Sequence, residues 1–122
     1  MALRESGEDY LEAILMLHRA HGVVRSVDVA DQLGVTKASV SKAMSMLEER
    51  GYVEMAKRDV RLTEKGLARA EHVLEQHLFF RDLLSAAGVD PHVAAEEACH
   101  MEHCLSDGSF NKLRAYIEHV ER

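Results

Sequence analysis

Residues 26–50 constrain the fold more tightly than any other stretch. Val29, Ala30 and Leu33 recur at helical spacing after Ser26, and Val40, Ala43, Met44 and Leu47 do so after Thr36. That period predicts two short amphipathic helices of about eight and fourteen residues. Ser26 and Thr36 are candidate N-caps, because a hydroxyl there can accept an otherwise unpaired amide. Gly34 and Gly51 stand where helices stop. Only Gly34-Val35-Thr36 separates the two helices. Ala30 leaves room for close approach, Val35 can plug the gap, and Val40 can meet both from the second helix. This is a helix-turn-helix pattern.

The flanking segments extend it. Leu11, Ile14, Leu15 and Leu17 form a helical stripe over about Glu8–Ala20, closed by His21-Gly22. After Gly51, Tyr52–Ala56 and Val60–Leu62 read as two strands around Lys57-Arg58-Asp59, a wing. Thr63 can cap a long helix from Glu64 to His77 or beyond. Gly88-Val89-Asp90-Pro91 interrupts the second half, and His92–Leu105 and Ser109–Glu121 read as further helices. The expected fold is mainly α: a winged helix-turn-helix domain over 1–70, then a helical metal-binding and dimerisation domain over 71–122. Leu78, Phe79, Leu83, Leu84, Leu105, Leu113 and Ile117 give the second part more apolar surface than one small lobe can cover, which predicts a homodimer.

Charge divides along the same line. The chain carries a formal net charge of −6, but residues 1–70 hold 11 basic and 11 acidic side chains, so the whole excess lies after them. Within residues 36–70 the balance is +3, with 8 basic and 5 acidic groups. The exposed face expected for the second helix is Thr36, Lys37, Ala38, Ser39, Ser41 and Lys42. It is short, polar or basic, as a surface entering a major groove must be beside phosphates. Lys57, Arg58 and Arg61 on the wing would meet the DNA backbone. The partner is therefore double-stranded DNA, and a dimer would read a palindromic operator. Residues 37–46 contain no Asn, Gln or Arg, so the bases read are not legible.

A second constellation lies in the acidic half. Cys99, Glu102 and His103 are spaced i, i+3, i+4, which puts a thiol, a carboxylate and an imidazole on one helical face. Three donors on a core-facing stripe are costly without a ligand. His77 can approach that face if its helix packs antiparallel. Asp9 and Glu12, one turn apart on the first helix, offer two more oxygens. Hard oxygen donors suit Mn²⁺ or Fe²⁺. A Cys99 thiolate, if it ligates rather than packs, moves preference toward Fe²⁺, Co²⁺ or Zn²⁺.

Glu8-Asp9-Tyr10-Leu11-Glu12 and Glu97-Ala98-Cys99-His100-Met101-Glu102-His103, on either side of a winged helix-turn-helix, resemble the diphtheria-toxin-repressor family of iron- and manganese-dependent repressors. The resemblance covers about Glu8 to Glu118. It implies that the first part binds DNA and that the following helices form the dimer. It also implies that Asp9, Glu12, His77, Cys99, Glu102 and His103 hold the metal. Asp9 and Glu12 match the manganese branch. Cys99 matches a position that is Cys in the iron branch and Glu in the manganese branch. Arg81 and Ala95 stand where the iron branch places ancillary ligands, which argues against a second site of that type. The SH3-like domain of the iron branch has no counterpart in these 122 residues.

Other classes find less support. A metal-independent winged-helix regulator answering to a small molecule or a protein partner is the alternative reading. No His-Glu-x-x-His, P-loop, dinucleotide-binding glycine pattern or nucleophile elbow is present, so no enzyme is expected. No signal-peptide-like run or membrane-length apolar stretch occurs, so a cytoplasmic location with reduced thiols is expected. Cys99 and Cys104 would point about 140° apart on a helix and so could not bridge.

Overall fold

The structure is a computed structural model that describes residues 5–120. The chain divides into two compact units, one ending at His72 and the other beginning at Val73. The elements run α1 (Glu5–His21), α2 (Ser26–Leu33), α3 (Lys37–Glu49), β1 (Val53–Ala56), β2 (Asp59–Leu62), α4 (Glu64–Ala86), α5 (Pro91–Met101) and α6 (Asp107–Val120). The expected mainly helical fold with a two-stranded wing is what forms.

In the first unit the core is built from the stripes the period marks. Leu11, Ile14 and Leu15 of α1, Val29 and Ala30 of α2, and Val40, Met44 and Leu47 of α3 are buried, with Val53 and Val60 from the strands. Val35 departs from expectation: it remains 39% exposed and plugs nothing. Val40, expected to meet both helices, is fully buried.

Helix ends show where local chemistry decided. Thr36 caps α3 as expected, accepting from the Ser39 amide at 3.1 Å. Ser26 does not cap α2. Arg25 holds the N-cap position, and its amide donates to Asp28 Oδ2 at 2.9 Å, so the acidic residue three positions on closes that end. After α3, the Gly51 amide bonds Glu48 O and the Tyr52 amide bonds Leu47 O at 2.9 Å, with Gly51 at φ +81°. This double closure needs a left-handed residue, which glycine adopts without a Cβ penalty.

The strands pair antiparallel, with Val53 opposite Leu62 and Ala56 opposite Asp59. Asp59 therefore belongs to the second strand and not to the turn, leaving Lys57-Arg58 as a two-residue loop. Lys57 sits at φ +60°, where such hairpins favour glycine. The Val60 amide donates to Val24 O at 2.7 Å, tying the wing to the segment before α2.

In the second unit, Phe80, Ala98 and Phe110 form the buried centre, with Phe79, Met101, Leu105 and Leu113 packed against them. Phe79, Phe80 and Phe110 meet edge to face at ring separations of 5.4–5.8 Å. Asp90 caps α5, accepting from the His92 amide at 3.1 Å, with Pro91 opening the helix. α5 stops at Met101, four residues before the expected end. The His103 and Cys104 amides bond three residues back, to His100 O and Met101 O, so the chain tightens into a turn. Ser106 accepts from the Ser109 amide at 3.2 Å, so α6 begins at Asp107, earlier than Ser109.

Candidate metal centre and nucleic-acid face

The second unit gathers four of the six expected ligands. His77 comes from α4 and Cys99 from α5, while Glu102 and His103 follow in the turn. Glu102 lies just outside the helix that spacing predicted, yet its backbone stays helical (φ −60°, ψ −23°) and its amide still bonds Ala98 O. The one-turn relation to Cys99 therefore survives. Glu102 is only 2% exposed. Its Oε2 lies 3.0 Å from His77 Nδ1 and its Oε1 lies 3.1 Å from His103 Nε2. Cys99 Sγ lies 3.7 Å from His77 Nδ1.

Two imidazoles thus grip the two oxygens of one buried carboxylate, with a thiol beside one of them. A carboxylate so desolvated is tolerated only beside strong donors or a cation. Oxygen, nitrogen and sulfur donors from three chain segments fit a divalent transition metal. Cys99 itself is exposed, which departs from the core-facing stripe inferred for it. It reaches the cluster from the solvent side of α5 and is not buried among apolar neighbours. Both cysteines are free thiols, although Cys104 lies in the turn after α5 and not on the helix that the spacing argument assumed.

Asp9 and Glu12 lie on α1 in the first unit, one turn apart, and both are half-buried. Their neighbour Glu8 is 5% exposed and is paired with Arg69, whose Nε lies 2.6 Å from Glu8 Oε2. No local pattern could pair residues that far apart in the chain. At the expected ancillary positions, Arg81 pairs with Asp82 at 3.0 Å and Ala95 offers no donor.

All nine residues expected to face DNA are exposed: Thr36, Lys37, Ala38, Ser39, Ser41 and Lys42 around α3, and Lys57, Arg58 and Arg61 on the wing. Three have prior engagements. The Thr36 hydroxyl caps α3 and also donates to Ser39 Oγ at 3.0 Å. Arg61 holds Asp59 Oδ2 at 2.7 Å. That hydrogen bond is the main reason the Asp59 carboxyl titrates below its usual range, and the Val24 amide adds to it. Arg25, not anticipated, joins Lys57 and Arg58 around a shallow pocket between α2 and the wing.

Residues 2–59 match the family model described as the N-terminal DNA-binding domain of iron-dependent repressors. Residues 63–122 match the metal-binding and dimerisation domain of the same proteins. The transcriptional regulator MntR of Escherichia coli is 35% identical over 116 residues, covering 94% of this chain and 75% of its own. An HTH-type transcriptional regulator of Methanocaldococcus jannaschii is 32% identical, with 95% of each chain covered. Among solved structures, IdeR of T. acidophilum is 26% identical with a TM-score of 0.78, over 97% of this chain and 55% of that one. The fold and its two halves define a metal-dependent, DNA-binding transcriptional regulator that dimerises. The chain belongs to the iron-dependent repressor family, also known as the diphtheria-toxin-repressor family. The metal-independent alternative gains nothing from these comparisons.

Proposed function

We propose that this regulator represses transcription from a palindromic operator in response to cytoplasmic Fe²⁺ or Mn²⁺. In this reading His77, Cys99, Glu102 and His103 hold the metal, and Asp9 and Glu12 complete the ligand set from α1. The carrying observation is the buried Glu102 carboxylate between the His77 and His103 imidazoles. The matching family models, described for iron-dependent repressors, and a structural relative described as the manganese regulator SloR bracket the choice of ion. When bound, the metal supplies a positive charge that carboxylates on both units can share. Glu102 orients the two imidazoles, and α1 contributes oxygens from the DNA-binding half. Sharing ligands across the halves would bias the dimer toward recognition helices about 34 Å apart, the spacing of successive major grooves. A few kcal/mol of such coupling suffices to switch operator occupancy.

Titrating the purified apoprotein with Mn²⁺, Fe²⁺, Co²⁺ and Zn²⁺ while following DNA binding tests this reading. Glu102→Ala should lower metal affinity by about a hundredfold or more and abolish the metal response. With Co²⁺, a sulfur-to-metal charge-transfer band in the near ultraviolet should appear and be lost in Cys99→Ser. Cys99→Glu should keep metal-dependent binding but shift preference toward Mn²⁺. A Glu102→Ala protein that responds to metal like the parent would remove the site. An unchanged Co²⁺ spectrum in Cys99→Ser would leave Asp9, Glu12, His77, Glu102 and His103 as the ligands.

A further inference from the structure

An open cleft of about 460 Å³ lies between the start of α1 and α3 in the first unit. Ser6 and Tyr10 line it from α1, and Ser39, Lys42 and Arg50 line it from α3 and its C-cap, with Ala43 and Met46 between them. Among the described residues, no carboxylate lines it. Tyr10 is 8% exposed, and among the described residues its hydroxyl has no hydrogen-bond partner. The ring is buried while the hydroxyl stays open to the surface, and the cleft that Tyr10 lines is a side from which a partner can come. Lys42 and Arg50 are exposed cations engaged in no ion pair among the described residues. The cleft thus offers a phenol, an ammonium, a guanidinium and two hydroxyls, a donor-rich set suited to an anion that only accepts.

The anion's source follows from where the donors sit. Ser39 and Lys42 also belong to the α3 face assigned to DNA, so the cleft is continuous with that face. Phosphodiester oxygens along a groove are held by such side chains, and those contacts set register, not sequence. We propose that this cleft seats one phosphodiester group of the operator backbone, with the Tyr10 hydroxyl, Lys42 and Arg50 as its donors. This extends the DNA footprint from the recognition helix and wing to the first helix, and it rests on the DNA-binding reading above.

The test uses the full chain, loaded with Mn²⁺, and a short duplex selected from a random pool by the protein itself. Tyr10→Phe keeps the buried ring and should weaken binding about five- to tenfold, with Co²⁺ affinity and thermal midpoint unchanged. Arg50→Gln should cost a similar factor and make the log–log salt dependence shallower by about one unit. A scan replacing single phosphates by neutral methylphosphonates should find one position per half-site that weakens the parent and is silent in Tyr10→Phe/Arg50→Gln. If every methylphosphonate penalty persists in that double variant, the cleft does not hold the backbone. If millimolar inorganic phosphate shifts the Tyr10 ring resonances and the duplex fails to displace it, the ligand is a free anion and the proposal falls. Lys37→Ala and Arg58→Ala separate the two readings. Loss of affinity in them but not at Tyr10 and Arg50 overturns the cleft alone, whereas no loss anywhere removes the DNA face as well.

Discussion

Glu8 and Glu102 are both buried carboxylates, and each is stabilised differently. Glu8 is gripped by the Arg69 guanidinium, Nε and Nη2 both reaching Oε2, an arrangement that ties α1 to the first turns of α4. Glu102 is flanked by the His77 and His103 imidazoles, one at each carboxylate oxygen. On the proposed reading the first pairing is structural and the second belongs to the metal site. Removing Arg69 leaves Glu8 charged and poorly solvated, so Arg69→Met should destabilise the protein by about 2–4 kcal/mol in urea unfolding. Adding Glu8→Gln should recover most of that loss. A single Arg69→Met cost below about 0.5 kcal/mol would mean that water replaces the guanidinium freely.

Among the elements, the wing and the start of α4 show how backbone space constrains sequence. Thr63 holds this junction by accepting from the Gly66 amide and donating to Gly51 O at 2.6 Å. Gly66 sits so close to the residue before the first strand that a Cβ built there would lie 1.9 Å from Tyr52 O. The obstacle is backbone carbonyl, which no rotamer change can clear. Gly66→Ala should therefore cost about 2 kcal/mol or more, although alanine is the better helix former. Chemical unfolding checks this directly, and a neutral or stabilising result would show that α4 can lift off the strand without loss.

The whole molecule combines two small units with separate tasks and separate charge. The acidic excess falls after residue 70, in the part that matches the metal-binding and dimerisation model. Among its described residues that unit buries only Val73, Phe80, Ala94, Ala98 and Phe110 as apolar core, and Tyr116 and Val120 remain more than 60% exposed on α6. A core this small is marginal without a partner surface. A truncated chain ending near Ala70 should sediment as a monomer and lose at least about a hundredfold in DNA affinity, because one half-site contact replaces two. A stable dimer from that fragment would place the interface in the first unit.

How much was legible follows from the range of the interactions involved. Helical period, the Thr36 cap, the stop at Gly51 and the six ligand-type residues are local features, and the fold class followed from them. Ser26 lost its capping role because the helix opens one residue earlier: the Asp28 carboxylate takes the Arg25 amide, and the Asp28 and Val29 amides bond Arg25 O, a local rivalry that spacing alone does not rank. The early end of α5 came from backbone bonds three residues back that favour a tight turn before Ser106. Tertiary structure alone decided the rest: the exposure of Val35, the grip of Arg69 on Glu8, the Tyr52 carbonyl against Gly66, and the place of Tyr10 in the cleft between α1 and α3. Those depend on segments brought together across tens of residues, where packing and desolvation act on pairs that no periodicity in the chain encodes.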